Sequence, residues 1–248
     1  MCSSDLADNI KIRWLKILSA LCMFGALQSQ AADFTKALGT VYCDGGLRGT
    51  ASHIALPKSY QNNLSVILTA AHVIYNQQTG KRFAHCFYLP HNKRLSSIAF
   101  ETISTHSYPL ETADKISQAE NDIVFVKLKH RAYQPILSLS QDPSNSPKEL
   151  LLLAINHDNN AGFASWDCQQ LYFEGIPQER LLIHNCPSRS GDSGAPILDH
   201  DSGSIVAVHG GKLNLGINKK PQGDVWINQA RRADNAIIKN LQAFLREL

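Results

Sequence analysis

Residues 190–197 have the sequence Ser-Gly-Asp-Ser-Gly-Ala-Pro-Ile, which sets Ser193 in a tight turn between two glycines, just before an apolar strand. Glycine adopts backbone angles that other residues avoid, so the N–H groups of Gly191 and Ser193 can point to one spot. Converging N–H groups form an oxyanion hole, which stabilises negative charge on a carbonyl oxygen. The turn predicts a nucleophilic Ser193 with an oxyanion hole made by Gly191 and Ser193, although a serine between glycines is as often only a turn.

Two earlier segments supply candidate partners for this serine. Residues 68–73, Leu-Thr-Ala-Ala-His-Val, run from an apolar strand into small residues that leave the ring of His72 facing a cleft. Residues 121–128, Asn-Asp-Ile-Val-Phe-Val-Lys-Leu, open a strongly apolar strand with Asp122. A buried carboxylate is tolerable only when it is hydrogen-bonded, for example by an imidazole N–H. Asp114 is the rival carboxylate, but no apolar strand follows it, which favours Asp122.

Short apolar runs separated by Gly, Pro, Asn, Asp and Ser recur along the chain, a pattern typical of an all-β sandwich or barrel. About twelve runs are predicted as strands. They lie near residues 38–43, 47–56, 64–70, 84–90, 96–104 and 122–128, and then near 149–156, 164–173, 180–185, 195–199, 204–209 and 224–228. Between the two sets, residues 134–148 carry three prolines and read as a linker. Residues 229–248 change to a helical period and predict one amphipathic helix, either closing a barrel or meeting a membrane or partner.

Residues 1–31 have the pattern of a secretory signal peptide. The basic residues Lys11, Arg13 and Lys16 precede an apolar run over residues 17–27, and small residues follow it. That run is about 11 residues long, too short to span a bilayer. We therefore expect a secreted or periplasmic protein without stable membrane insertion. The net charge of +3 comes without a basic block, so no nucleic-acid partner is expected.

Read together and in chain order, Thr-Ala-Ala-His, Asp-Ile-Val and Gly-Asp-Ser-Gly-Ala-Pro resemble the chymotrypsin-like serine protease superfamily. The order His, Asp, Ser separates the chain from α/β-hydrolases, which run Ser, Asp, His. The resemblance covers essentially the whole mature chain. It implies an all-β fold of two six-stranded antiparallel barrels, over residues 32–133 and 149–248, joined by the linker at 134–148 and closed by the C-terminal α-helix.

The resemblance also implies a mechanism. Ser193 attacks the scissile carbonyl of a protein or peptide substrate, His72 transfers the proton, and Asp122 holds the imidazole in the right tautomer, through an acyl-enzyme. We expect a monomeric serine endopeptidase that needs no cofactor and no metal. The alternative is a catalytically silent homologue that binds proteins.

Four cysteines remain after the predicted signal peptide: Cys43, Cys86, Cys168 and Cys186. They lack the spacing of a zinc site, and exported proteins keep disulfides, so two bridges are expected. Four cysteines allow three pairings. With two barrels implied, Cys43–Cys86 and Cys168–Cys186 are favoured, because a bridge across the substrate cleft is topologically awkward.

Within the superfamily, residues 205–211, Ile-Val-Ala-Val-His-Gly-Gly, and 223–228, Gly-Asp-Val-Trp-Ile-Asn, are similar to bacterial glutamyl-endopeptidase-like members. The similarity implies that His209 and Ser188 contact an acidic substrate side chain on the acyl side of the cut. A protonated imidazole would strengthen that contact near or below the usual histidine pKa of about 6.5. The alternative is that His209 is a packed strand histidine.

Gly210 and Gly211 then belong to the strand that pairs with substrate. In this chain Asp192 stands where glutamyl endopeptidases usually carry asparagine, and the partner of Asp192 is left open. The remaining histidines without a motif are expected to be solvated or structural: His85, His91, His106 and His130.

Overall fold

The computed structural model describes residues 34–61, 64–91, 95–106, 108–110, 114–140, 149–156, 161–214 and 226–248. The predicted signal peptide, residues 1–31, lies outside the described residues. So do the second half of the predicted linker, residues 141–148, and the segment 215–225, which contains part of the predicted last strand.

Six antiparallel strands in the first half of the chain close into a barrel, in the order β1-β2-β3-β6-β5-β4. They are β1 (Leu38–Cys43), β2 (Gly46–His53), β3 (Val66–Thr69), β4 (Cys86–Pro90), β5 (Ile98–Ile103) and β6 (Val124–Leu128). Two short helices, α1 (Lys58–Gln61) and α2 (Lys115–Glu120), lie in the connections. β-Branched and aromatic residues dominate β3 and β6, where they fill the barrel, and closure leaves no strand edge unpaired.

The second half forms a sheet of seven antiparallel strands, in the order β8-β7-β11-β12-β13-β10-β9. They are β7 (Leu150–Asn156), β8 (Ala161–Cys168), β9 (Gln170–Leu171), β10 (Leu181–His184), β11 (Pro196–Asp199), β12 (Ile205–Asn214) and β13 (Trp226–Arg232). Only Gln169 separates β8 from β9, so the two ends of this order are consecutive parts of one bent strand.

The bend at Gln169 explains why seven strands stand where six were predicted. The Gln169 N–H donates to Asn185 Oδ1 at 2.6 Å, and its carbonyl accepts from the Asn185 N–H at 3.2 Å. These bonds replace the regular ladder for one residue. With β8 and β9 counted as one strand, the sheet closes into a ring of six. The predicted all-β, chymotrypsin-like architecture is confirmed.

The C-terminal helix α3 spans Asn235–Arg246, shorter than the predicted 229–248. Residues 229–232 instead extend β13, because they pair with both β10 and β12. Asp234, two residues after the end of this strand, caps the helix: its Oδ1 accepts from the Ile237 N–H at 3.0 Å, and its Oδ2 accepts from Arg231 Nη1 at 2.7 Å.

The apolar face of α3 packs on the protein core. Its buried residues belong to the cluster that fills the first barrel: Ile237, Leu241, Phe244 and Leu245. This packing matches the interpretation of α3 as a closing helix. Over the described residues, no helix combines the length and the apolar character needed to cross a membrane.

Both disulfides join cysteines within one half of the chain, in the pairs expected. Cys43 and Cys86 face each other on the neighbouring strands β1 and β4. Cys168 at the end of β8 is bonded to Cys186, just after β10. Between the two halves, the start of the predicted linker pairs with both: Leu137 bridges to Ile54 beyond β2, and Leu139 bridges to Ile205 in β12.

Candidate active site

His72 and Asp122, which are far apart in sequence, lie in contact. β3 and β6 are paired, with Thr69 opposite Val124, so the residues after β3 and before β6 meet at one end of the barrel. His72 sits in a short 3-10 turn, and its Nδ1 lies 2.7 Å from Asp122 Oδ2. The His72 backbone N–H also donates to Asp122 Oδ1 at 2.9 Å. Asp122, 2% exposed, therefore has each oxygen bonded to the same histidine.

The carboxylate of Asp122 sets the direction in which the pKa of His72 shifts. Burial alone would lower the pKa of His72, but coulombic attraction to Asp122 and the hydrogen bond between them raise it above the usual 6.5. The bond to Asp122 fixes the proton on Nδ1 in the neutral ring. This leaves Nε2 able to accept a proton.

Asp114, the rival carboxylate in the sequence, has a structural role in another place. It is the N-cap of α2, where its Oδ1 accepts from the Ser117 N–H at 2.9 Å. An N-cap satisfies a backbone donor that the helix cannot satisfy itself. The structure thus brings Asp122, and not Asp114, to His72.

The turn that carries Ser193 is docked on the first barrel. The Thr50 N–H donates to the Ser193 carbonyl at 2.8 Å, and Thr50 Oγ1 donates to the Gly191 carbonyl at 3.0 Å. Gly194 has a φ of +86°, and a Cβ there would overlap Thr50 O and Thr69 Oγ1. Ser193 is thereby held against the segment that leads into His72.

Gly49, which the sequence argument missed, permits this docking. A Cβ at Gly49 would overlap the Ser193 carbonyl oxygen and lie 2.8 Å from Val73 Cγ2. Gly49 lies inside strand β2, next to the point where its register with β1 shifts, and a glycine within a strand often marks a bulge or a close backbone approach. That signal was present in the sequence, but it did not identify the approaching segment.

Asp192 is 1% exposed and accepts from the Arg189 N–H through Oδ2 at 2.6 Å. Its own N–H donates to the Arg189 carbonyl at 3.2 Å. Asp192 therefore closes the loop that precedes the nucleophile, which supplies a partner for the buried carboxylate that the sequence left open. Gly191, with a φ of +94°, lies inside the same loop.

His209 is buried beside a second histidine that the sequence argument also missed. His209 Nδ1 lies 3.1 Å from His184 Nε2, and the two rings meet edge to face at an angle of 69°. Burial, and then repulsion from His72, lower the pKa of His209 to about 4, although Asp122 opposes this. The ring is therefore neutral at neutral pH. Protonation of His209, which was expected to strengthen its contact with a substrate carboxylate near pH 6.5, takes place only near pH 4.

Ser188 lies in the same neighbourhood as His209. Its Oγ donates to Asn228 Oδ1 at 3.1 Å, and Asn228 Nδ2 donates to the Cys186 carbonyl at 2.7 Å. Asn228 is the β13 residue opposite His184 in β10. Ser188 and His209 thus contact the two members of one cross-strand pair.

Gly210 and Gly211 form a bulge in β12. The register with β13 shifts between His209 and Gly211, and Gly211 has a φ of +111°. A cleft of about 260 Å³ opens beside them. Its lining includes Tyr108, Asp122, Gly210, Lys212, Trp226 and Gln229.

Of the remaining predicted residues, His106 is partly buried and stacks on Tyr75, with ring centroids 5.7 Å apart. Its environment is structural, as expected. Within the described ranges, no group of three or more His, Cys, Asp or Glu side chains is arranged to hold a metal ion.

The chain is similar to known proteins in both sequence and fold. The family model described as a trypsin-like peptidase domain matches residues 58–208. A comparison with curated protein sequences gives no significant match. Among solved structures, a Glu endopeptidase superposes with a TM-score of 0.63 at 17% identity, covering 86% of this chain and 92% of that one.

Two further solved structures have a similar fold. Kallikrein-related peptidase 10 gives a TM-score of 0.61 at 10% identity, covering 88% of this chain and 98% of its own. The protease Anisep from Arthrobacter nicotinovorans gives 0.58 at 11% identity, covering 83% and 93%. At these identities the likeness concerns the fold.

Proposed function

The chain belongs to the family of trypsin-like peptidase domains, and we propose that it is a serine endopeptidase acting through Ser193, His72 and Asp122. The observation that carries this proposal is the 2.7 Å contact between His72 and the buried Asp122, beside the docked turn of Ser193. A buried carboxylate bonded to an imidazole leaves the second ring nitrogen free to act as a base. Substrates are proteins or peptides.

The proposed reaction uses these groups in turn. His72 Nε2 accepts the hydroxyl proton of Ser193 as Oγ attacks the scissile carbonyl, and Asp122 stabilises the imidazolium that forms. The N–H groups of Gly191 and Ser193 take up the negative charge on the carbonyl oxygen. The protonated His72 then gives its proton to the leaving amine, and water, activated by the same histidine, releases the acyl group.

Covalent labelling tests the nucleophile. A fluorophosphonate should label the wild-type chain once, on Ser193, and casein should be cleaved, because only a serine next to a base is nucleophilic near neutral pH. Ser193→Ala should abolish both. Ser190→Ala, an exposed serine in the same turn, is the matched control and should keep both. Labelling or cleavage that survives in Ser193→Ala would contradict the assignment, and an unreactive wild type would point to a silent homologue.

An acidic preference on the acyl side of the cut is the finer part of the proposal. It is supported by the position of His209 next to the bulge at Gly210, and by Ser188 in the same cluster. The preference requires an N–H on the His209 Nε2 atom, because a carboxylate only accepts hydrogen bonds. This tautomer exists when His184 Nε2 donates to His209 Nδ1.

The surroundings of His184 favour that tautomer. Its Nδ1 is buried without a hydrogen-bond partner among the described residues. If His184 Nε2 were the acceptor, Nδ1 would carry an unpaired buried N–H, which is rarer in folded proteins than an unpaired acceptor. With Nε2 as the donor, His209 is left with an Nε2–H that a substrate carboxylate can accept.

Export to the periplasm or the cell exterior completes the proposal. The two disulfides support it, since such bonds persist in oxidising compartments and are rare in the cytosol.

A further inference from the structure

Gln229, on β13, is buried at the edge of the cleft and had no role in the sequence argument. It is 6% exposed and lies opposite Gly211 in β12 and Ile183 in β10. Its Oε1 is buried without a hydrogen-bond partner among the described residues. A buried amide with an unpaired oxygen costs free energy that an apolar side chain of the same length would not, so its presence calls for an explanation.

The bulge in β12 brings this amide to the catalytic carboxylate. Gly210 is the extra residue of the bulge, and a Cβ there would overlap Gln229 Nε2 and lie 2.9 Å from Asp122 Oδ2. The missing side chain at Gly210 thus leaves a space that the Gln229 amide and the Asp122 carboxylate share. All three residues line the 260 Å³ cleft.

The chemistry of the two groups sets the orientation of the amide. An NH2 group carries the positive end of the amide dipole, whereas Oε1 in its place would repel a carboxylate. Asp122 accepts from the N–H and Nδ1 of His72, and a carboxylate has about four acceptor sites. It therefore retains capacity for a donor on the side of β13.

We propose that Gln229 is a positioning residue for the Asp122–His72 pair, holding the carboxylate from the β13 side through the space left by Gly210. The inference rests on the proposed function and adds a residue to its machinery. The amide offsets part of the negative potential that Asp122 exerts on His72 and restricts the carboxylate to the orientation that aligns the ring. Gln229 acts through Asp122 and does not contact the reacting atoms.

Two variants test this role with two readouts. Gln229→Met removes the amide at similar length, and Gln229→Glu places a second carboxylate beside the first. For a positioning residue, kcat should fall about tenfold in Gln229→Met while KM stays within about twofold, as for loss of one favourable contact to a charged group. The pKa of His72, followed by NMR in a Ser193→Ala background, should rise in the order wild type, Gln229→Met, Gln229→Glu.

For Gln229→Glu the rise should be about one pH unit, or about tenfold in proton affinity, because a second anion favours the imidazolium. Gln178→Leu is the matched control, since Gln178 also has a buried Oε1 without a partner among the described residues. That control should leave kcat and the His72 titration unchanged.

The outcomes separate this inference from the proposed function. An unchanged kcat and an unchanged His72 titration in both Gln229 variants would overturn the positioning role, as would a change in KM alone, which would make Gln229 a substrate contact. An inactive wild type would refute the endopeptidase proposal instead, and the NMR titration would still report whether Gln229 acts on His72. Gln229→Met is uncharged, so it keeps the test valid if Gln229→Glu does not fold.

Discussion

Each half of the protein holds a histidine against a polar partner, and the pKa values of the two histidines shift in opposite directions. In the first barrel His72 contacts the Asp122 carboxylate, which raises the pKa of the ring despite its burial. In the second sheet His209 contacts the neutral ring of His184, and burial lowers its pKa to about 4. The hydrogen bond of His72 to the carboxylate is 2.7 Å long, and that of His209 to the imidazole is 3.1 Å long. Burial lowers the pKa of both rings, and only His72 has a directly bonded carboxylate that reverses this effect.

Removing the charge of the first partner should give the largest effect. In Asp122→Asn, burial acts on His72 without an opposing carboxylate, so the pKa of His72 should fall below 6.5 and the ring can adopt the wrong tautomer. We expect kcat to fall by about 10⁴, the loss found when the corresponding carboxylate of a serine protease is replaced by its amide. Peptide hydrolysis and an NMR titration of His72 measure the two consequences.

Asp114→Asn is the matched control, because asparagine caps helices about as well as aspartate. It should retain wild-type kcat and stability. A comparable loss of activity in Asp114→Asn and Asp122→Asn would mean that the two carboxylates had been assigned the wrong roles.

The contact between His72 and Asp122 could be foreseen from the sequence, whereas the contact between His209 and His184 could not. His72 and Asp122 adjoin apolar runs that predict strands. A buried carboxylate also needs a hydrogen-bond donor, and the imidazole of His72 can supply it. His184 ends an unremarkable strand, β10, and reaches His209 only because β13 lies between β10 and β12 in the sheet. Sheet order is a long-range property that local residue patterns do not encode.

The predicted start of the C-terminal helix and the predicted strand count were wrong for a similar reason. The helix begins at Asn235. Residues 229–232, which fit the same helical period, belong to β13 because this strand pairs with β10 on one side and β12 on the other. The bend at Gln169 likewise depends on Asn185, which lies beyond the next strand in the chain. Gly49 and Gln229 were missed because their meaning lies in what approaches them: the Ser193 carbonyl and the Asp122 carboxylate.

The next largest effect concerns the pH dependence of the free energy of unfolding, to which His209 and His72 should contribute with opposite signs. A folded-state pKa of about 4 for His209, against about 6.5 unfolded, means that the unfolded chain binds more protons in this interval. The free energy of unfolding must then fall as pH drops from 6.5 towards 4, by on the order of 3 kcal/mol. The raised pKa of His72 has the opposite sign: its contribution is present below pH 6.5 and is lost as pH rises through the folded pKa.

Urea unfolding of His209→Gln at several pH values, in a Ser193→Ala background that prevents self-digestion, measures this contribution. The slope of stability against pH between 6 and 4.5 should be smaller than in the parent by about one proton, or about 1.4 kcal/mol per pH unit. The exposed His85→Gln serves as the control and should keep the parental slope. Equal slopes in His209→Gln and the parent would show that His209 is not held neutral by the fold.

The smallest expected effect concerns the pH dependence of selectivity, and it follows from the neutrality of His209. If a neutral Nε2–H of His209 meets the substrate carboxylate, cleavage after Glu should exceed cleavage after its isostere Gln by about tenfold, the worth of one hydrogen bond to a charged group. That ratio should stay nearly constant from pH 8 to 5.5, because the ring does not titrate there and the substrate carboxylate, with a pKa of about 4.3, remains ionised. The overall rate should nevertheless fall in acid as His72 becomes protonated.

Matched peptides with Glu, Gln, Leu or Lys before the cut, assayed from pH 8 to 5.5, distinguish the pH dependence of selectivity from that of the overall rate. His209→Leu should lower the Glu to Gln ratio to about one and leave cleavage after Leu in place. A ratio that climbs steeply between pH 8 and 6 would mean that His209 titrates, contrary to its burial, whereas equal cleavage of all four peptides would remove the acidic preference and leave the endopeptidase proposal intact.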